Sequence, residues 1–229
     1  MKILYPFSNV MGLFFPEGDT KNGGSCEFAT ARCLRKCCAH SPGAGQKIGF
    51  SKKKEVLDFF VNSDSDKIFS KIISELKDSN CNIFSWFASG DCPSTLTQKL
   101  FEVIKKLDQA KIIQSGFTRN IGLWRLCQKL SKDCKVLLTI ETPDDAVEDG
   151  LYSFPNYEIG AIDIYCVKNN QIRRTDGCGG GYYENHKEKI KKEDSHLKMD
   201  CKACYENRTG CFNDLIILKL KREQKLKEK

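Results

Sequence analysis

Short apolar segments alternate with amphipathic segments along most of the chain, and this alternation is the feature that most restricts the fold. Apolar segments of strand length occur at residues 1–5, 82–88, 111–115, 135–140 and 160–167. Apolar residues recur at helical spacing at residues 52–61, 65–76, 96–107 and 121–130. Strands that alternate with helices in this way pair in parallel through right-handed crossovers. The sequence therefore predicts an α/β fold, either an open doubly wound sheet or a partial barrel, with ligands at the carboxyl ends of the strands.

The alternation ends after Val167. Residues 177–181 are rich in glycine, a charged segment and a group of cysteines follow, and the tail from Asp214 begins apolar and ends basic. We interpret the start of the tail as a last strand or the start of a helix. This change predicts a βα core at residues 1–170 and a small cysteine-rich C-terminal extension at residues 171–229.

The sequence also predicts where the protein acts. It has no apolar segment long enough for a transmembrane helix, and its N-terminus lacks the features of a signal peptide. We therefore expect a cytoplasmic location without membrane contact. The net charge of +7 mildly favours a nucleic-acid partner, although a solvated helix surface is the commoner explanation of such charge.

Thirteen cysteines are the most unusual feature of the composition. In a chain of this length without an export signal, they indicate metal ligands or redox groups rather than disulfides. Five of them lie in or beside predicted strands and helices and are expected to be buried small side chains: Cys81, Cys92, Cys127, Cys134 and Cys166. Cys92 is the exception, since it lies at the edge where ligands are expected.

A first group of cysteines lies in the loop after the first predicted strand. Cys26, Cys33 and Cys37 are separated by six and then three residues, which is not the spacing of a zinc knuckle. Three thiolates hold three irons of a [4Fe-4S] cluster and leave the fourth iron open to a small molecule. The alternative is a set of buried structural thiols, which is a poor explanation for cysteines so close together.

The segment Ser89-Gly90-Asp91 follows the strand predicted at residues 82–88. A glycine and a carboxylate at the carboxyl end of a strand are suited to bind the amino group of a ligand. The same residues also form a good turn before a helix, so this motif alone does not decide between ligand binding and structure. Ser94 is expected to cap the following helix.

A second group of cysteines lies in the C-terminal extension: Cys178, Cys201, Cys204 and Cys211. The CKAC segment has a chelating spacing, and four thiolates complete a closed site. The residues leave the metal open between a second [4Fe-4S] cluster and zinc that staples a poorly cored region. A disulfide pair is the third alternative.

Taken together, these segments resemble radical S-adenosylmethionine enzymes, and more narrowly the phage gene-product-88-like family. The resemblance rests on SCEFATARCLRKCCA, FSWFASGD, SGFTRN and the late cysteines, which are spread over most of the chain. It implies a partial (β/α) barrel and a [4Fe-4S] cluster on Cys26, Cys33 and Cys37. It also implies that S-adenosylmethionine is bound by Ser89, Gly90, Asp91, Thr118, Arg119 and Asn120. The cysteine spacing is wider than in most radical S-adenosylmethionine enzymes, and Asp91 stands where they carry a glutamate.

Three functions follow from these expectations. The first is a radical S-adenosylmethionine enzyme that takes electrons from a donor and acts on an unknown substrate, such as a peptide or a nucleic acid. The second is a non-catalytic, metal-stapled module that binds nucleic acid. The third is an electron-transfer iron–sulfur protein with fully ligated clusters.

Overall fold

The computed structural model describes residues 1–7, 10–35, 37, 48–140, 164–168, 171–175, 201–206, 212 and 216–220. The chain divides into two compact units, Met1–Val136 and Leu137–Lys229. Each unit is described separately below.

The first unit contains a mostly parallel sheet in the order β1-β2-β3-β4-β5. Its strands are β1 (Leu4–Phe7), β2 (Val10–Phe14), β3 (Ile83–Ser89), β4 (Ile113–Thr118) and β5 (Cys134–Ile140), the last of which ends in the second unit. β1 is antiparallel to β2, whereas β2, β3 and β4 are parallel to one another. Among the described strands no pairing returns to β1, so the sheet is open.

Among the described residues of this unit there are five α-helices. They are α1 (Ala31–Arg35), α2 (Phe50–Asn62), α3 (Ser65–Asp78), α4 (Thr97–Gln109) and α5 (Ile121–Cys127). α3 packs on α4, and α4 packs on α5. The α3 helix begins where the sequence predicts, because the Asp64 side chain accepts a hydrogen bond from the Lys67 backbone and closes its first turn. The predicted α/β class with helices flanking a mostly parallel sheet is confirmed.

The N-terminal strands differ from the prediction. The sequence predicts one strand at residues 1–5 and a loop from Gly12, whereas the structure has the hairpin of β1 and β2. Gly12 lies inside β2 because the backbone is crowded there. A Cβ atom at Gly12 would lie 2.9 Å from the Cβ of Phe7 and 3.1 Å from that of Ala88. Here glycine marks a close approach in a strand rather than a loop, and the cysteine loop follows the second strand instead of the first.

The start of the helix after β3 also differs from the prediction. Ser94 begins a 3-10 turn, Ser94–Leu96, and makes no capping hydrogen bond within it. Instead, Glu27 from the cysteine loop accepts hydrogen bonds from the Ser94 backbone at 2.7 Å and from its hydroxyl at 2.8 Å. A residue 67 positions away in the chain therefore provides the cap that was expected from Ser94 itself.

Aliphatic and aromatic side chains from the sheet and from α2, α3 and α4 form one core. Two polar side chains are satisfied inside it. Gln114 accepts a hydrogen bond from the Trp86 indole at 2.9 Å and donates one to the Ile104 carbonyl at 3.0 Å. Glu75 accepts hydrogen bonds from the backbone of Ile3 and Leu4 and so fixes the start of β1. Burial of these groups is tolerated because each finds a partner.

The second unit contains the end of β5 together with β6 (Ile164–Lys168), β7 (Gln171–Thr175), β8 (Ile216–Leu220) and the helix α6 (Cys201–Glu206). β8 confirms the strand interpretation of the tail and is parallel to β5. β6 is antiparallel to both β7 and β8, so the parallel pairing expected for residues 160–167 is wrong. Lys168 pairs with Gln171, and so short a connection permits only an antiparallel hairpin.

Within the described ranges, no helix has both the length and the apolar character that crossing a bilayer requires.

We predict that Gln114→Leu lowers the free energy of unfolding by about 1–3 kcal/mol, because it leaves the buried Trp86 N–H without an acceptor. Urea denaturation measures the change. The double variant Trp86→Phe/Gln114→Leu removes donor and acceptor together and should lose less than the sum of the two single variants. If the loss of stability in the double variant equals the sum of the losses in the two single variants, the hydrogen bond contributes nothing to stability.

Candidate functional site

The carboxyl ends of β2, β3 and β4 lie at one edge of the sheet. Each strand is followed by a segment that the sequence singles out: the cysteine loop after β2, Ser89-Gly90-Asp91 after β3, and residues 118–120 after β4. In parallel strands these ends are neighbours, which is why the three segments meet.

The first part of the cysteine loop, residues 15–27, folds on its own backbone. Asp19 accepts a hydrogen bond from the Asn22 backbone at 3.1 Å and starts a 3-10 turn that ends at Gly23. The backbone N–H of Ser25 donates to the Pro16 carbonyl at 2.9 Å, and that of Cys26 donates to the Gly18 carbonyl at 3.0 Å. These bonds fold the loop back on itself and place Cys26 beside residues 16–18.

The turn after β3 is pressed against this loop. The Phe15 backbone N–H donates to the Ser89 carbonyl at 3.0 Å, and the Ser89 hydroxyl donates to the Phe15 carbonyl at 2.8 Å. The Ser25 hydroxyl donates to the Pro16 carbonyl and accepts a hydrogen bond from the Asp91 backbone, both at 2.9 Å. Buried Ser25 therefore joins the two segments.

Gly90 is required at this contact for two reasons. Its φ angle is +73°, in the left-handed region that favours glycine. A Cβ atom there would lie 2.5 Å from the Ser25 Oγ and 2.6 Å from the Phe15 Cβ. No larger residue fits unless the loop and the turn move apart.

The Asp91 carboxylate connects β3 to β4. Its Oδ1 accepts hydrogen bonds from the Cys92 backbone at 2.7 Å and from the Thr118 hydroxyl at 2.6 Å. Its Oδ2 accepts one from the Arg119 backbone at 2.8 Å. Burial raises the pKa of this carboxyl to about 6, although all three hydrogen bonds and the charge of Arg119 act in the opposite direction.

Asn120 extends the same network into two helices. Its side-chain oxygen accepts from the Leu123 backbone at 2.9 Å and so caps α5. Its amide donates to the Cys92 carbonyl at 3.2 Å and to the Thr97 hydroxyl at 2.7 Å. The structure thus brings together all six residues that the resemblance assigns to S-adenosylmethionine, and it joins several of them by hydrogen bonds to one another.

The three thiols of the first group lie at the same edge. Cys26, Cys33 and Cys37 are each half-buried, and the Cys33 backbone donates to the Thr30 hydroxyl at the start of α1. Burial, followed by the neighbouring Asp91 carboxylate and the Cys37 and Cys33 thiols, raises the pKa of the Cys26 thiol to about 12. A hydrogen bond from the Gly18 backbone opposes this shift.

Asp91, Cys33 and Cys37 therefore each lie within electrostatic reach of the Cys26 thiol. Across the described ranges, however, no three His, Cys, Asp or Glu side chains are already arranged around a point where a metal ion would fit. The thiols are neighbours in this structure without forming a finished coordination sphere.

The second group of cysteines lies mainly outside the described residues. Cys178 and Cys211 fall there completely. Cys201 and Cys204 occupy the first and fourth positions of α6, and their side chains are outside the description. The closed four-cysteine site therefore stays a prediction.

The remaining cysteines follow the prediction in part. Cys92, Cys127 and Cys134 are buried, and burial raises the pKa of each thiol. Cys92 is therefore buried like the other two. The sequence had set it apart as a residue of the ligand edge, and its burial removes that distinction. Cys81 is half-buried at the opposite end of β3. Cys166 lies in β6, where side chains are outside the description.

One residue that shapes this edge, Phe87, is not indicated by the sequence. Phe87 has a φ angle of +51° and lies where the pairing of β2 and β3 shifts register, between Gly12 and Phe14 on the β2 side. Such a backbone conformation is uncommon for an aromatic residue. The segment NIFSWFA carries no signal for it, because it reads as a regular buried strand.

Comparisons with known proteins add no relative. No family model matches the chain, and no curated protein or solved structure gives a significant match.

We predict that Gly90→Ala lowers the free energy of unfolding by more than Gly23→Ala. Both glycines have a positive φ, +73° and +79°, but only Gly90 has neighbours within 4 Å of the added Cβ. The left-handed backbone costs about 1–2 kcal/mol in either variant, and the overlap at Gly90 adds about 1–3 kcal/mol. Equal losses in urea denaturation would show that the loop adapts freely.

We also predict a pH signature of Asp91 in the metal-free chain. Its pKa is raised from 3.8 to about 6, so the stability it contributes is complete below pH 4 and is lost as the pH rises through 6. Asp91→Asn lacks this dependence. The stability of the wild type relative to this variant should therefore fall by about 3 kcal/mol between pH 4 and pH 8. If the free energies of unfolding of the wild type and of Asp91→Asn change in parallel with pH, the pKa of Asp91 is not raised.

Proposed function

We propose that this protein is an iron–sulfur enzyme of the radical S-adenosylmethionine type. The observation that carries the proposal is the position of Cys26. It is a half-buried thiol in the loop after β2. It directly follows Ser25, whose hydroxyl accepts a hydrogen bond from the Asp91 backbone in the turn after β3, and it lies within electrostatic reach of the Asp91 carboxylate. A metal ligand and a ligand-binding turn at one sheet edge are what the resemblance to this enzyme class requires.

The donor set is suited to a [4Fe-4S] cluster with one open iron. Cys26, Cys33 and Cys37 supply three soft thiolate ligands, and each is partly exposed and hence accessible to an assembling cluster. Metal binding removes the thiol protons and repays the cost of deprotonating a thiol whose pKa is raised. When bound, such a cluster supplies the electron that cleaves S-adenosylmethionine and yields a 5′-deoxyadenosyl radical.

The Asp91 carboxylate retains capacity for the amino group of S-adenosylmethionine. Among the described residues, Oδ1 accepts two hydrogen bonds, whereas Oδ2 accepts only the one from the Arg119 backbone. A carboxylate oxygen has room for a second donor. Ser89 and Gly90 hold this carboxylate beside the cysteine loop, and Thr118, Arg119 and Asn120 orient it from the side of β4.

We propose further that the sheet of the first unit belongs to a partial (β/α) barrel with its ligand on the face opposite α4. Gln114 bonds to α4, so the alternate residues of β3 and β4 point to the other face. There Ser85 and Ser115 are opposite one another in register and are buried. Neither hydroxyl has a hydrogen-bond partner among the described side chains, which supports a polar occupant on this face.

The remaining assignments extend the same proposal. Cys178, Cys201, Cys204 and Cys211 hold a second [4Fe-4S] cluster or a zinc ion, as the chelating CKAC spacing suggests. A cytoplasmic electron donor reduces the first cluster. The substrate is a peptide or a nucleic acid, the latter favoured by the net charge of +7, and the protein is related in function to the phage gene-product-88-like family that it resembles.

One observation favours a second candidate, an iron–sulfur or zinc protein that does not bind S-adenosylmethionine. Asp91, Thr118 and Asn120 have a complete structural role in joining β3, β4 and α5. The turn is therefore explained without a ligand. This alternative includes electron transfer and a metal-stapled module that binds nucleic acid.

Anaerobic reconstitution separates the two candidates. The first predicts about one cubane of iron and sulfide at Cys26, Cys33 and Cys37, and release of 5′-deoxyadenosine after reduction with dithionite in the presence of S-adenosylmethionine. Cys33→Ala should abolish the release. Cys81→Ala is the matched control, since Cys81 is also half-buried but lies at the other end of β3.

Two results would contradict the first candidate. One is zinc as the sole metal of the reconstituted protein. The other is a reduced cluster that releases no 5′-deoxyadenosine and whose electron paramagnetic resonance spectrum does not change when S-adenosylmethionine is added. Either result would favour the second candidate.

A further inference from the structure

A buried ion pair connects α2 to the cysteine loop. The Lys53 ammonium lies 2.8 Å from the Glu17 carboxylate, and their side chains are 2% and 15% exposed. Lysine is almost never buried without a partner, because removing its charge from water is costly. Glu17 is the only partner of the Lys53 ammonium among the described residues. The position of Glu17 is therefore strongly determined by α2.

Glu17 lies between the two residues that hold Cys26 in place. The carbonyl of Pro16 accepts hydrogen bonds from the backbone and the hydroxyl of Ser25, and the carbonyl of Gly18 accepts one from the Cys26 backbone. A shift of the Glu17 backbone would move one or both of these carbonyls. Glu17 is thus one peptide bond and one hydrogen bond away from the Cys26 backbone.

The same helix also holds the start of the loop by packing. The rings of Phe60 in α2 and Phe15 lie 5.1 Å apart in an edge-to-face arrangement. This contact is apolar, and unlike a hydrogen bond it fixes no single direction. The ion pair provides the directional constraint that the ring contact lacks.

We propose that Lys53 is a positioning residue, and that its ion pair with Glu17 holds the Cys26 thiol against the turn formed by Gly90 and Asp91. The role as a metal-site residue rests on the proposed function of Cys26 as a cluster ligand. The positioning itself is a property of the metal-free chain and can be tested without the cluster.

The test compares Lys53→Met and Glu17→Gln with a matched pair on the same helix. Lys52 and Glu55 are also 2.8 Å apart, but both are well exposed, at 59% and 45%. The first measurement is the rate at which iodoacetamide alkylates each cysteine of the metal-free protein, followed by peptide mass spectrometry. The second is the affinity for Co²⁺, followed by its thiolate charge-transfer absorption.

Lys53→Met should speed alkylation of Cys26 by about tenfold or more and weaken Co²⁺ binding by a similar factor, in the range typical of groups that orient metal ligands. Lys52→Met and Glu55→Gln should change neither. Alkylation of the buried Cys127 and Cys134 should stay slow, because the ion pair between Lys53 and Glu17 holds only the cysteine loop in place. Glu17→Gln, which keeps a hydrogen-bond acceptor for Lys53, provides the same test if Lys53→Met does not fold.

Two outcomes would overturn the proposal. One is an unchanged alkylation rate at Cys26 in the folded variants. The other is an equal increase at Cys26, Cys127 and Cys134, which would assign Lys53 to the stability of the whole unit. If the wild type binds neither Co²⁺ nor iron, the proposed function fails, while the alkylation rates still decide whether Lys53 positions Cys26.

Discussion

The close approach of the turn after β3 to the loop after β2 is the contact on which the candidate site depends. It exists because Gly90 has no side chain, and because Ser25 accepts the Asp91 N–H while donating to Pro16. Through it, the loop that carries Cys26 and the network that orients Asp91 become one structure. A change at this contact therefore affects thiol and carboxylate together.

The two pKa shifts described at this edge of the sheet have the same direction. Burial raises the pKa of Cys26 and of Asp91, and the Asp91 carboxylate raises the pKa of Cys26 further. At this edge the neutral forms of the thiol and the carboxyl are therefore favoured over their anions. A cation bound beside them would shift both groups towards their anionic forms.

Sequence patterns located the parts of this site but not the contacts between them. The helical spacing predicted α2 and α3 well, and the ends of the buried strands placed Ser89-Gly90-Asp91 and residues 118–120 at one edge. β2 was missed because Gly12 was interpreted as a loop residue. Glu27 and Lys53 were missed because their partners, Ser94 and Glu17, lie far away in sequence, and a single charged residue carries no sign of a distant partner.

The separation in sequence of the joined segments also determines when the site can exist. Ser25 bonds to Asp91, 66 residues later, and Asp91 bonds to Thr118 after another 27. During synthesis the thiols of the loop therefore leave the ribosome well before the strands that restrain them. Until β4 has emerged, Cys26, Cys33 and Cys37 belong to an unrestrained chain end and are open to oxidation or to adventitious metals. Under the proposed function, correct loading of the cluster would thus depend on timing as well as on affinity.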